Sequence, residues 1–298
     1  MILCYLYCLC NDIEFVLYDS NHSFSKTHDF LDFFEPFCAT DNHSFNKKYN
    51  RRDFFGEMGW RSMFKDLITN TTSKDEYPLK RMRLRLVGDF YKKIYGFDYF
   101  TYELFSLARN RDWENSYFYN ENICIDGDLQ DACKKIIDKI WKYKPDVHAK
   151  VETYKEAISM PDKYLGLHIR GGDKVMEYDI QDVSKYMSLL EQHSSLREAF
   201  VLTDDYGIIL KLRNDYPRWE FHTLCDELER GYYHDVFMAN TDIESIANRH
   251  IKLFASMDIL SKSQIFVGTF SSNPGMYLGM RMDKEKTFGV DFEKWRIW

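Results

Sequence analysis

From about residue 160 onward the chain alternates two hydrophobic rhythms. Short, nearly continuous apolar runs at residues 164–169, 199–203 and 264–268 have the length and β-branched or aromatic content of buried strands, and 219–223 reads as a further short strand. Between them the apolar positions recur at helical spacing. Residues 183–192 place Val183, Tyr186, Met187 and Leu190 on one side, and residues 207–215 form a second helix that stops before Pro217. Residues 243–261 make a long amphipathic helix with Ile246, His250, Leu253, Phe254 and Met257 together, and residues 273–282 make another. A last strand is expected at 287–291. Strands alternating with helices predict a parallel sheet joined by right-handed crossovers, a doubly wound α/β architecture.

The first half is less regular. Residues 2–10 read as a helix, 14–18 as a strand, and 19–52 as a polar, loop-like stretch. Residues 131–141 regain helical period, with Ala132, Ile136, Ile137 and Ile140 on one side. Pro145 and the Met160-Pro161 pair are turn signals and mark a boundary, so two domains are expected, residues 1–158 and 159–298.

Composition narrows the function. With 45% hydrophobic and 29% charged residues, a chain of 298 residues is an ordinary globular protein. Its net charge of −7 argues against a general nucleic-acid binder, which needs a broad basic surface. The densest basic run, Lys80-Arg81-Met82-Arg83-Leu84-Arg85, alternates with apolar residues and reads as a solvated face. Seven cysteines, an odd number without CxxC pairs, suggest reduced thiols and a cytoplasmic setting. The apolar segment 2–10 is too short to span a bilayer and lacks a basic lead, and no other stretch is long enough, so no membrane span is expected.

Three strand ends carry the candidate chemistry. The first strand runs into His168-Ile-Arg170-Gly171-Gly172-Asp173-Lys174, the second into Thr203-Asp204-Asp205, and the third into Thr269-Phe270-Ser271-Ser272-Asn273. In a parallel sheet all three lie on the carboxyl edge, where ligands of open α/β sheets bind. Glycines there allow close backbone approach, and an arginine offers a planar fork to phosphate oxygens. Ser272-Asn273-Pro274-Gly275 reads as a helix start whose N–H groups and dipole suit an anion. The residues point to a phosphorylated ligand, a nucleotide above all.

These same blocks carry a family resemblance. His168-Ile-Arg170-Gly171-Gly172-Asp173-Lys174 resembles the HxRRxDK motif of alpha-1,6-fucosyltransferases, the enzymes that core-fucosylate N-glycans and their rhizobial nodulation-factor relatives. Phe200-Val-Leu-Thr-Asp204-Asp205 resembles the second block of that family, and Leu260-Ser261 through Thr269-Phe-Ser271-Ser272 the third. The resemblance covers about residues 160–282. It implies a GT-B fold, two Rossmann-like domains facing across a cleft, with a nucleotide-sugar donor, GDP-fucose, held by the C-terminal one and a glycan acceptor on the N-terminal side. It implies an inverting transfer without a metal or other cofactor. Arg170 would hold the donor phosphate as the diphosphate leaves, His168 would lie near the nucleoside, and Asp173 and Lys174 would organise the first loop. Asp204 and Asp205 would fix loop geometry, and Ser271, Ser272 and Asn273 would sit at the diphosphate. Glu177 stands near the place of the family's acidic base, one position short, with Asp179 as the spare candidate.

The chain also departs from that pattern. Gly171 replaces the second arginine, the glycine-rich turn before the first helix is missing, and Asp258 is the nearest match, displaced by two, to the aspartate that reads guanine. Other donors, such as a GDP- or UDP-linked pentose like xylose, fit the same blocks, as does a non-catalytic glycan- or nucleotide-binding protein. Asp126-Gly-Asp128 has the letters of a metal-binding DxD, but a central glycine between aspartates also reads as a turn.

Overall fold

Nine successive apolar or thiol-bearing residues open the chain as helix α1 (Ile2–Cys10), with Leu3, Cys4, Leu6 and Cys8 buried. The computed structural model describes residues 1–19, 24, 27–41, 78–109, 112–113, 115–171, 181–231 and 242–297, without the side chains of 78–85 and 102. In chain order α1 is followed by β1 (Val16–Tyr18), the short α2 (Phe30–Phe33), β2 (Ala39–Asp41), α3 (Pro78–Tyr95) and α4 (Thr101–Arg109). The chain divides into two units, Met1–Asn21 with Cys38–Asn115, and His22–Phe37 with Ser116–Trp298. In the first, β1 and β2 pair in parallel and α1 packs against α4. The basic run 80–85 falls within α3.

The second unit continues with an antiparallel pair, β3 (Phe118–Asn120) and β4 (Ile125–Gly127), then α5 (Leu129–Ile140) and α6 (Pro145–Ile158). Asp128 caps α5 by accepting from the amides of Gln130 and Asp131, and Asp131 reaches back in a capping box. Lys284 adds an ion pair to Asp128 at 2.9 Å. The aspartate that would end a DxD is thus a helix cap with its own cation. Pro145, a turn signal in the sequence, follows the break between α5 and α6. It opens α6 at the first turn, where a missing N–H costs nothing.

Five parallel strands follow with their helices: β5 (Leu165–His168), α7 (Val183–His193), β6 (Glu198–Leu202), α8 (Tyr206–Asp215), β7 (Glu220–His222), α9 (Ile243–Ser261), β8 (Phe266–Gly268), α10 (Asn273–Arg281) and β9 (Thr287–Gly289). The spatial order is β7-β6-β5-β8-β9, parallel at every junction. The chain therefore builds outward from β5 on one side, then returns to place β8 on the other.

Strand alternation sorts the two faces of this sheet. Leu165, Leu167, Ile169, Ala199, Val201 and Val267 pack with Val183, Tyr186, Met187 and Leu190 of α7 and Ile209 and Leu212 of α8, all buried. Gly166 faces the other way, where a Cβ would stand 2.7 Å from the Ser263 hydroxyl and 2.9 Å from Leu260 at the end of α9. Helices thus cover both faces, and the expected doubly wound α/β sheet is present. α9 is buried further round than a one-sided stripe implies: Ile251, Ala255, Ile259 and Leu260 join Ile246, Phe254 and Met257. It lies against the sheet and α6 at once.

An aromatic cluster locks α9 to the segment around α2. Phe33, Phe34, Trp141 and Tyr143 all lie with ring centroids 5.2–5.8 Å from Phe254. Each such contact adds about 0.5–1.5 kcal/mol to the burial term. Asp258, on the same helix, pairs with Arg281 of α10 and accepts from the Tyr143 hydroxyl at 3.3 Å. It is a buried structural carboxylate.

Two histidines are held neutral by burial. His250 lies within 5.6–5.7 Å of Phe24 and Phe33, and its pKa is pushed down to about 4. His168, at the end of β5, is also pushed down to about 4 by desolvation. For a histidine with a lowered folded-state pKa, the unfolded chain binds protons that the native state refuses. Stability is therefore complete above about pH 6.5 and falls as the pH drops through that value toward 4. Urea unfolding of His250→Leu across pH 7 to 4 should show a slope shallower than that of the wild type by up to about 1.4 kcal/mol per pH unit between pH 6 and 5. An unchanged slope would mean that His250 is charged in the native state.

Candidate functional site

The strand order itself locates a crevice. Successive strands step away from β5 toward β7, whereas β8 returns to its opposite side, so the crossovers diverge between β5 and β8. At such a switch point the loops after the two strands turn to opposite faces and leave a gap at their carboxyl ends, where ligands bind. The loops beginning at His168 and Gly268 frame that gap.

Polar contacts tie three strand ends together around it. The Gly171 amide donates to the Asp204 carboxylate at 2.7 Å, which joins the loop after β5 to the loop after β6. The Ser272 hydroxyl lies 3.3 Å from His168 Nδ1, which joins the ends of β5 and β8. Arg170 stands between these links, partly exposed, and forms no ion pair with a carboxylate among the described residues. Its positive charge opposes protonation of His168, adding to the effect of burial.

The two aspartates of the second block divide their work. Asp204 clamps the first loop, while Asp205 caps α8 by accepting from the Gly207 amide at 2.8 Å. The Asp205 amide is in turn held by the Thr203 hydroxyl at 3.2 Å. Gly171 fills the remaining space. A Cβ there would meet Asp205 Cβ at 2.8 Å and Asp204 Oδ1 at 3.2 Å. The glycine that stands in place of an arginine is thus demanded by this loop's own packing.

Ser272 caps α10, and its hydroxyl is fully engaged. It donates to the Thr269 carbonyl at 2.7 Å, accepts from the Gly275 amide at 3.2 Å, and meets the Thr269 hydroxyl at 3.2 Å. Gly275 is required there because a Cβ would overlap the Thr269 carbonyl. Ser272 is buried, Ser271 is partly exposed and Asn273 is exposed. A ligand at this helix end would therefore meet Asn273 and Ser271 before Ser272.

The loop after β8 has a further organiser, Asp291, just past β9. Its carboxylate accepts from the amides of Phe270 and Ser271, both at 2.8 Å, and from Phe292 at 3.0 Å. Its charge is also felt at His168 and Tyr186. The sequence held one sign of it: an acidic residue closing a fourth strand at the same edge of the sheet.

Among the expected site residues, His168, Arg170, Asp204, Asp205, Ser271, Ser272 and Asn273 come from three loops linked by these contacts. Asp173, Lys174 and Glu177, with the spare candidate Asp179, lie outside the described residues. What the described part can do chemically is bounded by its charges. His168, neutral at pH 7, cannot act as a cation there, so positive potential must come from Arg170 and the free end of α10.

No family model matches the chain, and no curated protein matches it. Among solved structures it is similar to NodZ alpha-1,6-fucosyltransferase soaked with GDP-fucose, with 16% identity, a TM-score of 0.47, and coverage of 94% of this chain and 87% of that one. The same enzyme co-crystallised with GDP matches at 13% identity and a TM-score of 0.47, over 94% and 86% of the two chains. Fucosyltransferase NodZ from Bradyrhizobium matches at 13% and 0.44, over 89% and 81%.

Proposed function

We propose that the chain is a glycosyltransferase of GT-B architecture that moves fucose from GDP-fucose to a glycan acceptor, with inversion and without a metal. The observation that carries this reading is the grouping of Arg170, His168, Asp204 and Ser272 at the switch point of the sheet. In this reading residues 159–298 hold the donor and residues 1–158 shape the acceptor side.

The difficult step is departure of a nucleoside diphosphate from a sugar that becomes oxocarbenium-like. Charge grows on the diphosphate as the bond breaks, so stabilisation must strengthen along the reaction. The Arg170 guanidinium supplies it, with the N-terminus of α10 at Asn273 and Ser271 beside it. Ser272 keeps the start of α10 in place through its cap, Asp205 does the same for α8, and Asp204 fixes the arginine's loop. His168, uncharged and tied to Ser272, offers an apolar edge and one ring nitrogen to the nucleoside. Asp173 and Lys174 order the loop that follows, and Glu177 takes the proton from the acceptor hydroxyl.

The commitment of Asp258 to Arg281 and Tyr143 favours one second reading. The chemistry would be the same but the donor different, a GDP- or UDP-linked pentose such as xylose.

Arg170→Ala should lower turnover by about 10²–10³-fold, the loss expected for one preorganised charge donor, with the KM for acceptor little changed. Equal background release of nucleoside diphosphate by wild type and variant, across all donors, would instead identify a non-catalytic binding protein. In a thermal-shift series GDP should raise the melting temperature more than UDP or CMP, and equal shifts would remove the guanine assignment. Gly171→Arg should not restore a lost function. It should destabilise the protein by about 1–3 kcal/mol through overpacking against Asp204 and Asp205 and reduce turnover, as urea unfolding and a donor assay would reveal. A faster enzyme would overturn the packing argument.

A further inference from the structure

At the opposite edge of the sheet, strands β6 and β7 begin with a cross-strand pair of glutamates. Glu198 and Glu220 are register partners in the parallel ladder, and His222 follows two residues after Glu220 on the same face, partnered with Phe200. One ligand atom from each of Glu198, Glu220 and His222 lies within 4.8 Å of the others. His222 Nε2 is 2.8 Å from Glu198 Oε1 and 3.7 Å from Glu220 Oε1. Phe200, the register partner of His222, is fully buried.

The electrostatics of this arrangement are unbalanced. Like charges directly opposite one another in a sheet are destabilising, and among the described residues no lysine or arginine pairs with either glutamate. One imidazole nitrogen serves both carboxylates. Such a set suits a divalent transition metal, since imidazole and carboxylate together are ligands for zinc and its neighbours. Ligand atoms around a tetrahedral zinc sit about 3.3 Å apart, given bonds of roughly 2.0–2.1 Å. The two observed separations straddle that value, so small side-chain rotations would bring all three atoms into place.

We propose that Glu198, Glu220 and His222 form a zinc site that clamps the edge strand β7 to β6, with a fourth position open to water. Glu198 begins β6, whereas the candidate active site lies past Leu202 at its other end, about 13 Å along the strand at 3.3 Å per residue. The site is therefore accessory to any chemistry at the switch point, and it stands or falls independently of the transferase reading.

The test is titration of the purified full chain with Zn²⁺ by calorimetry, with melting temperature as a second readout and Co²⁺ as a spectroscopic probe. One equivalent of Zn²⁺ should bind and raise the melting temperature. Co²⁺ should give visible bands without a sulfur charge-transfer band, which separates this site from the seven free thiols. Glu220→Gln, at an exposed position where folding is not at risk, and His222→Asn should each weaken Zn²⁺ binding by about tenfold or more and abolish the thermal shift. No stoichiometric binding, a thiolate spectrum, or unchanged affinity in Glu220→Gln would each overturn the proposal.

Discussion

One hydrogen bond, from the Gly171 amide to the Asp204 carboxylate, couples the two strands on which the candidate site depends. A carboxylate accepting a backbone N–H is among the stronger neutral-donor bonds available, and this one spans loops 33 residues apart in sequence. It fixes how the chain leaves β5, at the residue after Arg170. Asp205 can then cap α8 without competing for the same space, and the absence of a side chain at Gly171 is what lets the two loops meet. The geometry of a charged site is here set by uncharged backbone.

The same logic governs the core beneath. Helices cover both faces of the sheet's centre, which is why strands β5, β6 and β8 are largely apolar runs, while the edge strand β7 keeps polar residues on one side. At the switch point four of the buried polar residues gather: His168, Thr203, Thr269 and Ser272. Each has a hydrogen-bond partner, as the cost of burying an unpaired polar group requires.

Much of the second unit was legible in sequence because its elements are long and their periods unmixed. The helices at 183–193 and 243–261, and the strands between them, fall where their apolar spacing places them. What sequence could not give was strand order. Nothing local tells β8 to return to the far side of β5, and that step creates the crevice. Pro145 is ambiguous in sequence for a clear reason: a proline marks a turn or a first helical turn equally well, and here it opens a helix that buries Val147 and Val151. The three strand-end blocks were legible as polar residues after apolar runs. The helix start at Ser272 was legible too, and Ser272 is its cap, whereas the separate duties of Asp204 and Asp205 were not, since they depend on backbone directions that composition does not encode. Asp291 lies outside every motif, although it holds the loop after β8 from a distance of some twenty residues.

That last contact has a consequence for how any anion is received. The amides of Phe270 and Ser271 form a small concavity of the kind that commonly cradles an incoming oxyanion, yet an internal carboxylate already occupies it. A visiting phosphate cannot use those two N–H groups, but it meets a loop that is already ordered and surrenders little conformational freedom when it lands. The protein has exchanged two direct contacts for rigidity, which lowers the entropic toll of recognition and leaves the selection of guests to the few groups that still face outward.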